Sequence, residues 1–143
     1  MTLSAHLIDD PAVLAEVTAL FHAYERALMT NDVATLTAFF WDDARLTRYG
    51  IADRQLGFAQ MAAFRAATPA PDFTRRLENL RITSYGPDLA MAQVEFVRSD
   101  TPLRGFQTQT WARLGPGPGA AGWKIVAAHV SMIAWSDGSD GGA

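Results

Sequence analysis

The chain of 143 residues contains no cysteine and only three histidines. Without a thiol it can form neither a disulfide framework nor a thiolate metal site. His6, His22 and His129 are far apart in the sequence and no H-E-x-x-H motif is present, so no metal site is expected. A G-x-S-x-G nucleophile motif and a glycine-rich phosphate loop are also absent, and we expect no organic cofactor.

A strong excess of charge of one sign and long apolar runs are absent as well. Charged residues make up 19% of the chain, and a net charge of -3 argues against a nucleic-acid surface, which would be basic. No window approaches the roughly 20 apolar residues of a membrane span. The N-terminus lacks the cationic start and apolar run of a signal peptide. We therefore expect a cytoplasmic protein with neither a nucleic-acid nor a membrane partner.

Helical patterns occupy the first half of the chain. An acidic cap and a proline at residues 9–11 predict the start of a first helix. A short turn at residues 31–32 separates it from a second helix, and residues 58–67 form a third. The apolar stripe of the first helix consists of Val13, Val17, Leu20, Phe21, Tyr24 and Leu28.

Strand patterns follow. Period-two alternation predicts one short strand around residues 46–49 and a second that ends near Gly57. Beyond residue 72 only strands are predicted, over residues 73–85, 89–98, 104–113 and 123–133. This order predicts an α+β fold, in which three N-terminal helices pack on a bent, mostly antiparallel sheet and enclose a pocket. The domain is expected to span residues 8–135, with a disordered tail at 136–143.

Two polar side chains on apolar faces are the main candidates for chemistry. Tyr24 lies on the buried stripe of the first helix, either as a core tyrosine or as a phenol at the pocket wall. Arg48 shares a strand face with Leu46, so it should point inward. A buried guanidinium needs an anionic partner, which is either an internal carboxylate such as Glu95 or Asp53, or a substrate.

Other polar residues are weaker candidates for contacting a ligand. Gln107 and Gln109 lie on a strand that is polar on both faces, one of which should border the pocket. Glu95 is a candidate base or ion-pair partner, and His129 is a candidate for orienting substrate or a core histidine. Arg65 on the third helix is interpreted as a solvated or capping cation.

Several sequence stretches, in this order, resemble the AtzH-like family, with the oxalurate-catabolism proteins as close relatives. They are Phe21-His22-Ala23-Tyr24-Glu25-Arg26-Ala27-Leu28, Phe40-Trp41, Thr47-Arg48-Tyr49-Gly50, Ala63-Phe64-Arg65-Ala66, Ile82-Thr83-Ser84-Tyr85-Gly86, Glu95-Phe96, Gln107-Thr108-Gln109-Thr110-Trp111 and Gly122-Trp123-Lys124-Ile125-Val126-Ala127-Ala128-His129-Val130-Ser131.

The resemblance implies a nuclear-transport-factor-2-like, or SnoaL-like, fold and a role in nitrogen catabolism. The activity it implies is an amidohydrolase that removes an N-carboxyl group from 1,3-dicarboxyurea and leaves allophanate. It also implies that a tyrosine on the first helix and an arginine on the first strand act together, and these are Tyr24 and Arg48. Two positions depart from the family pattern, because Phe106 replaces an expected arginine and Asp53 an expected glutamate. If Phe106 lies near the pocket, the preferred substrate should carry fewer charges.

The leading functional hypothesis is therefore a cofactor-independent hydrolase of a small anionic urea or amide, with Tyr24 as proton donor and Arg48 as carboxylate anchor. The alternative is a non-catalytic ligand-binding or association module for a partner amidase. A third possibility is an isomerase or lyase, for which Glu95 would have to act as the base.

A homodimer is expected, because the sheet offers more apolar positions than one interior uses. Candidates for the apolar residues that a second subunit would cover are Met91, Trp111 and Met132.

Overall fold

The three predicted helices are present in the computed structural model, which describes residues 2–115 and 122–136. They are α1 (Pro11–Met29), α2 (Val33–Ala38) and α3 (Phe58–Ala67), and a 3-10 turn at Ala5–Leu7 precedes them. No helix within the described ranges is long and apolar enough to cross a membrane. The predicted tail, apart from Ser136, and most of the predicted loop between the last two strands lie outside the described residues.

Helices α1 and α2 form a hairpin in which each helix begins at an aspartate. The Asp10 carboxylate accepts hydrogen bonds from the backbone N–H groups of Ala12 and Val13, at 2.9 and 3.3 Å. Asp32 accepts one from the backbone N–H of Thr35 at 3.3 Å. These caps satisfy donors that the start of a helix leaves unpaired. The face of α1 that is then buried consists of Val13, Val17, Leu20, Phe21, Tyr24 and Ala27.

One six-stranded sheet accounts for the rest of the fold. Its strands are β1 (Thr47–Tyr49), β2 (Arg54–Leu56), β3 (Arg75–Ser84), β4 (Leu89–Arg98), β5 (Arg104–Arg113) and β6 (Trp123–Ile133). They are ordered β2-β1-β6-β5-β4-β3. Strands β1 and β6 are parallel, and every other neighbouring pair is antiparallel. The predicted α+β architecture is confirmed, and the last three strands have the predicted bounds.

Two register shifts bend the sheet around the helices. The first lies in β3 at Asn79, which has a φ of 55°. The second lies in β6, where the register skips one residue between Ile125 and Ala127. Bulges of this kind increase the bend and twist of a strand. The second bulge also changes which residues of β6 face inward, so Ile125 is fully buried whereas His129 is exposed.

The core fills the space between the helices and the inner face of β4, β5 and β6. Trp111, a candidate for the outer face, lies in this core instead, with no exposed surface and its ring 5.8 Å from that of Phe39. That expectation was wrong because Trp111 has the same alternation as the inward Gln107 and Gln109. Other fully buried core residues are Val17, Phe21, Leu46, Met61, Ala90, Ala92 and Ile125.

Gly105 is required by the packing of a neighbouring aromatic ring. A Cβ atom at this position would overlap the ring of Phe96, which is 1% exposed and lies across from it on β4. We expect Gly105→Ala to lower the free energy of unfolding by about 1–3 kcal/mol, the usual range for overpacking. The lower backbone entropy of alanine in the unfolded chain offsets only about 0.4–1 kcal/mol of this. Urea unfolding measures the difference, and an unchanged midpoint would contradict the close packing.

Candidate active site

A cavity of about 420 Å³ lies between the helices and the inner face of the sheet. Its volume is within the range of small-molecule sites in proteins. Its lining includes residues from α1, α3 and five of the strands, so the whole fold contributes to it. The polar residues that concern its chemistry are Tyr24, Arg48, Arg65, Arg75, Gln107 and Gln109.

Tyr24 reaches the cavity from the buried face of α1. It is 5% exposed, and its ring makes edge-on contacts with Phe39 and Phe40, with centroids 6.0 and 6.1 Å apart. These contacts hold the ring, but no residue within the described ranges hydrogen-bonds to its hydroxyl. The hydroxyl group is therefore available to a ligand in the cavity.

Arg48 reaches the cavity from β1, on the inward face that strand alternation predicts. Its Nη1 donates hydrogen bonds to Asp53 Oδ1 at 2.7 Å and Gln55 Oε1 at 2.8 Å. Gln55 Nε2 donates to the same Asp53 oxygen at 2.9 Å, which closes a three-membered network. The guanidinium also lies over the ring of Phe64, 4.7 Å from its centroid. The network fixes the plane of the guanidinium and leaves Nε and Nη2 for other acceptors.

The turn between β1 and β2 brings Asp53 close enough to pair with Arg48. The backbone N–H of Gly50 donates to the carbonyl oxygen of Asp53 at 2.8 Å. A Cβ atom at Gly50 would overlap the Asp53 carboxylate, so a larger residue there would push this carboxylate out of its present position. The internal carboxylate that sequence analysis sought for Arg48 is therefore Asp53, and Glu95 is not involved.

Arg65 was wrongly interpreted as a solvated or capping cation. It is 6% exposed, it lines the cavity, and its Nε has no hydrogen-bond partner. Burial lowers the pKa of this guanidinium, and the positive charge of Arg48 lowers it further, although Tyr24 and Asp53 oppose the shift. Helical spacing could have predicted this burial, because Arg65 is four residues after the buried Met61 and lies on the same face of α3.

A second buried ion pair closes the other side of the cavity. Arg75 on β3 donates to both carboxylate oxygens of Glu25, at 2.8 and 3.0 Å, and to Gln107 Oε1 at 2.9 Å. Its guanidinium lies 4.2 Å from the ring centroid of Phe96, the ring that Gly105 accommodates. Glu25 directly follows Tyr24, so this pair ties the tyrosine's segment of α1 to the sheet. The Gln107 Nε2 is buried and has no partner.

The other predicted site residues divide between the two faces of the sheet. Gln107 and Gln109 both face inward, and the Gln109 carbonyl oxygen accepts a hydrogen bond from the indole N–H of Trp111 at 3.1 Å. His129 borders the cavity, but its exposed ring packs edge-on against Tyr49 at 5.7 Å. The bulge in β6 explains why the imidazole does not share the inward face of Ile125.

Glu95 and Phe106 do not line the cavity, so the prediction that they contact substrate was wrong. Both lie on the outer face, where they pair across β4 and β5. Glu95 accepts a hydrogen bond from Arg104 Nε at 2.7 Å, and the Phe106 ring lies 5.8 Å from that of Trp135. The Phe106 departure therefore does not remove a charge from the cavity.

Acidic and histidine residues do not cluster in the described part of the chain. No group of three or more histidine, aspartate or glutamate side chains there is arranged to hold a metal ion. The chemistry open to the cavity residues is hydrogen bonding, proton donation and binding of anions.

Solved structures share this architecture. A protein of unknown function from Pectobacterium atrosepticum is 42% identical, with a TM-score of 0.86 over 93% of this chain and 100% of that chain. A cystatin-like fold protein from Burkholderia xenovorans is 45% identical, with a TM-score of 0.84 over 90% of this chain and 98% of that chain. A protein of unknown function from Pseudomonas putida, with the nuclear-transport-factor-2-like fold, is 19% identical, with a TM-score of 0.68 over 88% and 95%.

Helices packed on one face of a bent sheet, with a cavity between them, place the chain in the class of nuclear-transport-factor-2-like, or cystatin-like, proteins. Within that class the chain belongs to the AtzH-like family, which matches residues 6–136. The search of curated proteins finds no match. The family suspected from the sequence is thus confirmed, and so is its fold.

Proposed function

We propose that the protein is a hydrolase of a small anionic urea or amide, of the kind that carries a carboxyl group on nitrogen. The observation that carries the proposal is that an unbonded phenol and a fixed guanidinium, Tyr24 and Arg48, line the same cavity. Membership of the AtzH-like family supports it, because the resemblance implies an amidohydrolase with this residue pair.

In the proposed mechanism Arg48 binds the substrate carboxylate through the nitrogens that Asp53 and Gln55 leave free. Its charge also stabilises the negative charge that develops when water adds to the carboxyl carbon. The bond from that carbon to nitrogen then breaks, and the Tyr24 hydroxyl donates its proton to the departing nitrogen. The attacking water returns a proton to the phenolate. One water is consumed, and the products are bicarbonate and the shortened urea or amide.

Gln107 and Gln109 extend the set of possible substrate contacts along β5. Both side chains are at least 92% buried, so a polar ligand group that reaches them is shielded from water. We propose that they orient the urea end of the substrate, opposite the carboxylate bound by Arg48.

Turnover by the purified protein tests the proposal. Freshly generated 1,3-dicarboxyurea is incubated with the protein, and the allophanate that forms is measured as ammonia released by a coupled allophanate hydrolase. We expect ammonia to form faster than in a control without the protein. If the folded protein gives no acceleration by itself, the non-catalytic alternative, a module that supports a partner amidase, is favoured.

We further propose that the protein is a cytoplasmic homodimer with a functional link to an amidase. The outer face of the sheet supports dimerisation, since Ile133 is exposed there and Phe106 lies on the neighbouring strand β5. A second copy would cover these apolar groups.

A further inference from the structure

Four arginines line the cavity, and within the described residues only one of them lacks an acidic partner. Arg48 pairs with Asp53 at 2.7 Å. The other two pairs are Arg75 with Glu25 at 2.8 Å and Arg98 with Asp100 at 2.6 Å. Arg65 has none, although it is 6% exposed. Arg65 therefore carries a positive charge that no ion pair among the described residues compensates, since Asp72, the acidic residue of the cavity lining, is exposed and does not pair with it.

An unpaired buried guanidinium is unfavourable in a protein that has no ligand for it. Transfer of a charge out of water is costly unless a partner compensates it. The positive charge of Arg48 repels that of Arg65, because both guanidiniums lie against the ring of Phe64. The Cζ atoms of Arg48 and Arg65 are 4.7 and 5.7 Å from the centroid of that ring. A ligand with a negative charge would remove both the unpaired charge and the repulsion.

We propose that Arg65 binds an anionic group of the substrate and selects anionic ligands for this cavity. The inference rests on the proposed function in taking the cavity as the substrate site. Arg65 and Arg48 would then flank the bound carboxylate, with Arg48 already neutralised by Asp53 and Arg65 supplying the net charge. No described residue accepts a hydrogen bond from the Arg65 guanidinium, and only its Nε is fully enclosed, so a carboxylate oxygen can bond to Nη1 or Nη2 without displacing a protein contact.

Strand β5 supplies a second donor without a partner, the Nε2 of Gln107, a cavity-lining residue that is 8% exposed as a whole. Its carbonyl oxygen is occupied by Arg75, which fixes the orientation of the amide. A polar ligand group that reaches Gln107 would satisfy a donor that the protein leaves unpaired. The cavity therefore suits a small molecule that carries a polar group besides its carboxylate.

Binding of malonate, compared with its neutral isostere malonamide, tests the inference without any need for turnover. Isothermal titration calorimetry of the native protein should give a higher affinity for malonate. Arg65→Met should weaken malonate binding by about 10–100-fold, the loss expected for a charge-assisted hydrogen bond. Arg81→Met removes the same charge from an exposed position on β3 and should leave malonate binding unchanged.

Thermal unfolding supplies a second readout that distinguishes binding from a structural role. Methionine fills most of the volume of arginine without its charge, so Arg65→Met should raise the Tm of the ligand-free protein by about 3 °C or more. At one malonate concentration, the rise in Tm should be much larger for the native protein than for Arg65→Met. A lower Tm for the ligand-free variant would assign a structural role to Arg65 and overturn the inference.

The remaining outcomes separate this inference from the proposed function. Equal affinity of the native protein for malonate and malonamide, or no binding of either, would overturn the role of Arg65. If Arg65→Met does not fold, Arg65→Gln replaces it. The affinities of the native protein for malonate and malonamide still show whether the cavity prefers an anionic ligand. Arg65-dependent malonate binding in a protein that hydrolyses nothing would leave the inference intact and remove the hydrolase proposal.

Discussion

Tyr24→Phe is expected to lower turnover of an N-carboxylated urea by a factor of about 10²–10⁴, the usual contribution of a positioned proton donor. The same change should alter the free energy of unfolding by about 1 kcal/mol or less, because no described residue hydrogen-bonds to the hydroxyl. The phenyl ring that remains keeps the edge-on contacts with Phe39 and Phe40. Turnover and urea unfolding should both be measured on the same preparation.

Tyr85→Phe is the matched control for this experiment. Tyr85 is 39% exposed and does not line the cavity, so removal of its hydroxyl should change neither turnover nor the free energy of unfolding. The proposed mechanism would be wrong if Tyr24→Phe unfolded the protein while each remaining folded molecule turned over normally. In that case the tyrosine would be a packing residue of α1.

Periodic patterns made the helices and the long strands predictable from the sequence. The apolar stripe of α1 repeats over about four turns, and this identified Tyr24 as an inward residue. Alternation around Leu46 did the same for Arg48 although β1 is only three residues long. A whole stripe of apolar residues assigned the face of Tyr24, whereas the single neighbour Leu46 was enough for Arg48.

The errors arose where alternation was not followed across the sheet or where it was interrupted. Glu95 and Phe106 alternate with the buried Val94, Phe96 and Gln107, so their outward position was already present in the pattern. His129 was different. The bulge in β6 reverses the alternation, and no residue type in the sequence marks that bulge.

The burial of Arg65 was missed because side-chain type was weighed more heavily than position. Arginine is almost never fully buried without a partner, so exposure was the natural interpretation of Arg65. Arg75 is buried only because Glu25 pairs with it from another element, fifty residues away in the chain. Such long-range pairs cannot be inferred from spacing in a single sequence.

Arg48→Lys is expected to lower turnover about 10²-fold or more, even though it keeps the positive charge. An ammonium group lacks the planar fork that bonds Asp53 and Gln55 on one side while it presents further N–H groups to the substrate. Loss of one donor that stabilises developing negative charge costs about 10²–10³ in rate. Arg54→Lys is the control, since Arg54 is exposed on the adjacent strand β2 and lies outside the cavity.

The Arg48→Lys substitution should lower mainly kcat if Arg48 stabilises the transition state. It should raise mainly KM if Arg48 only binds the substrate in the ground state. Malonate affinity provides a further check, because Arg65 stays in place and should retain most of the binding in Arg48→Lys. Equal turnover by Arg48→Lys and Arg54→Lys would show that a positive charge at this point suffices. The fixed fork held by Asp53 would then have no catalytic role, and the anion site at Arg65 would remain as the main feature that defines the ligand.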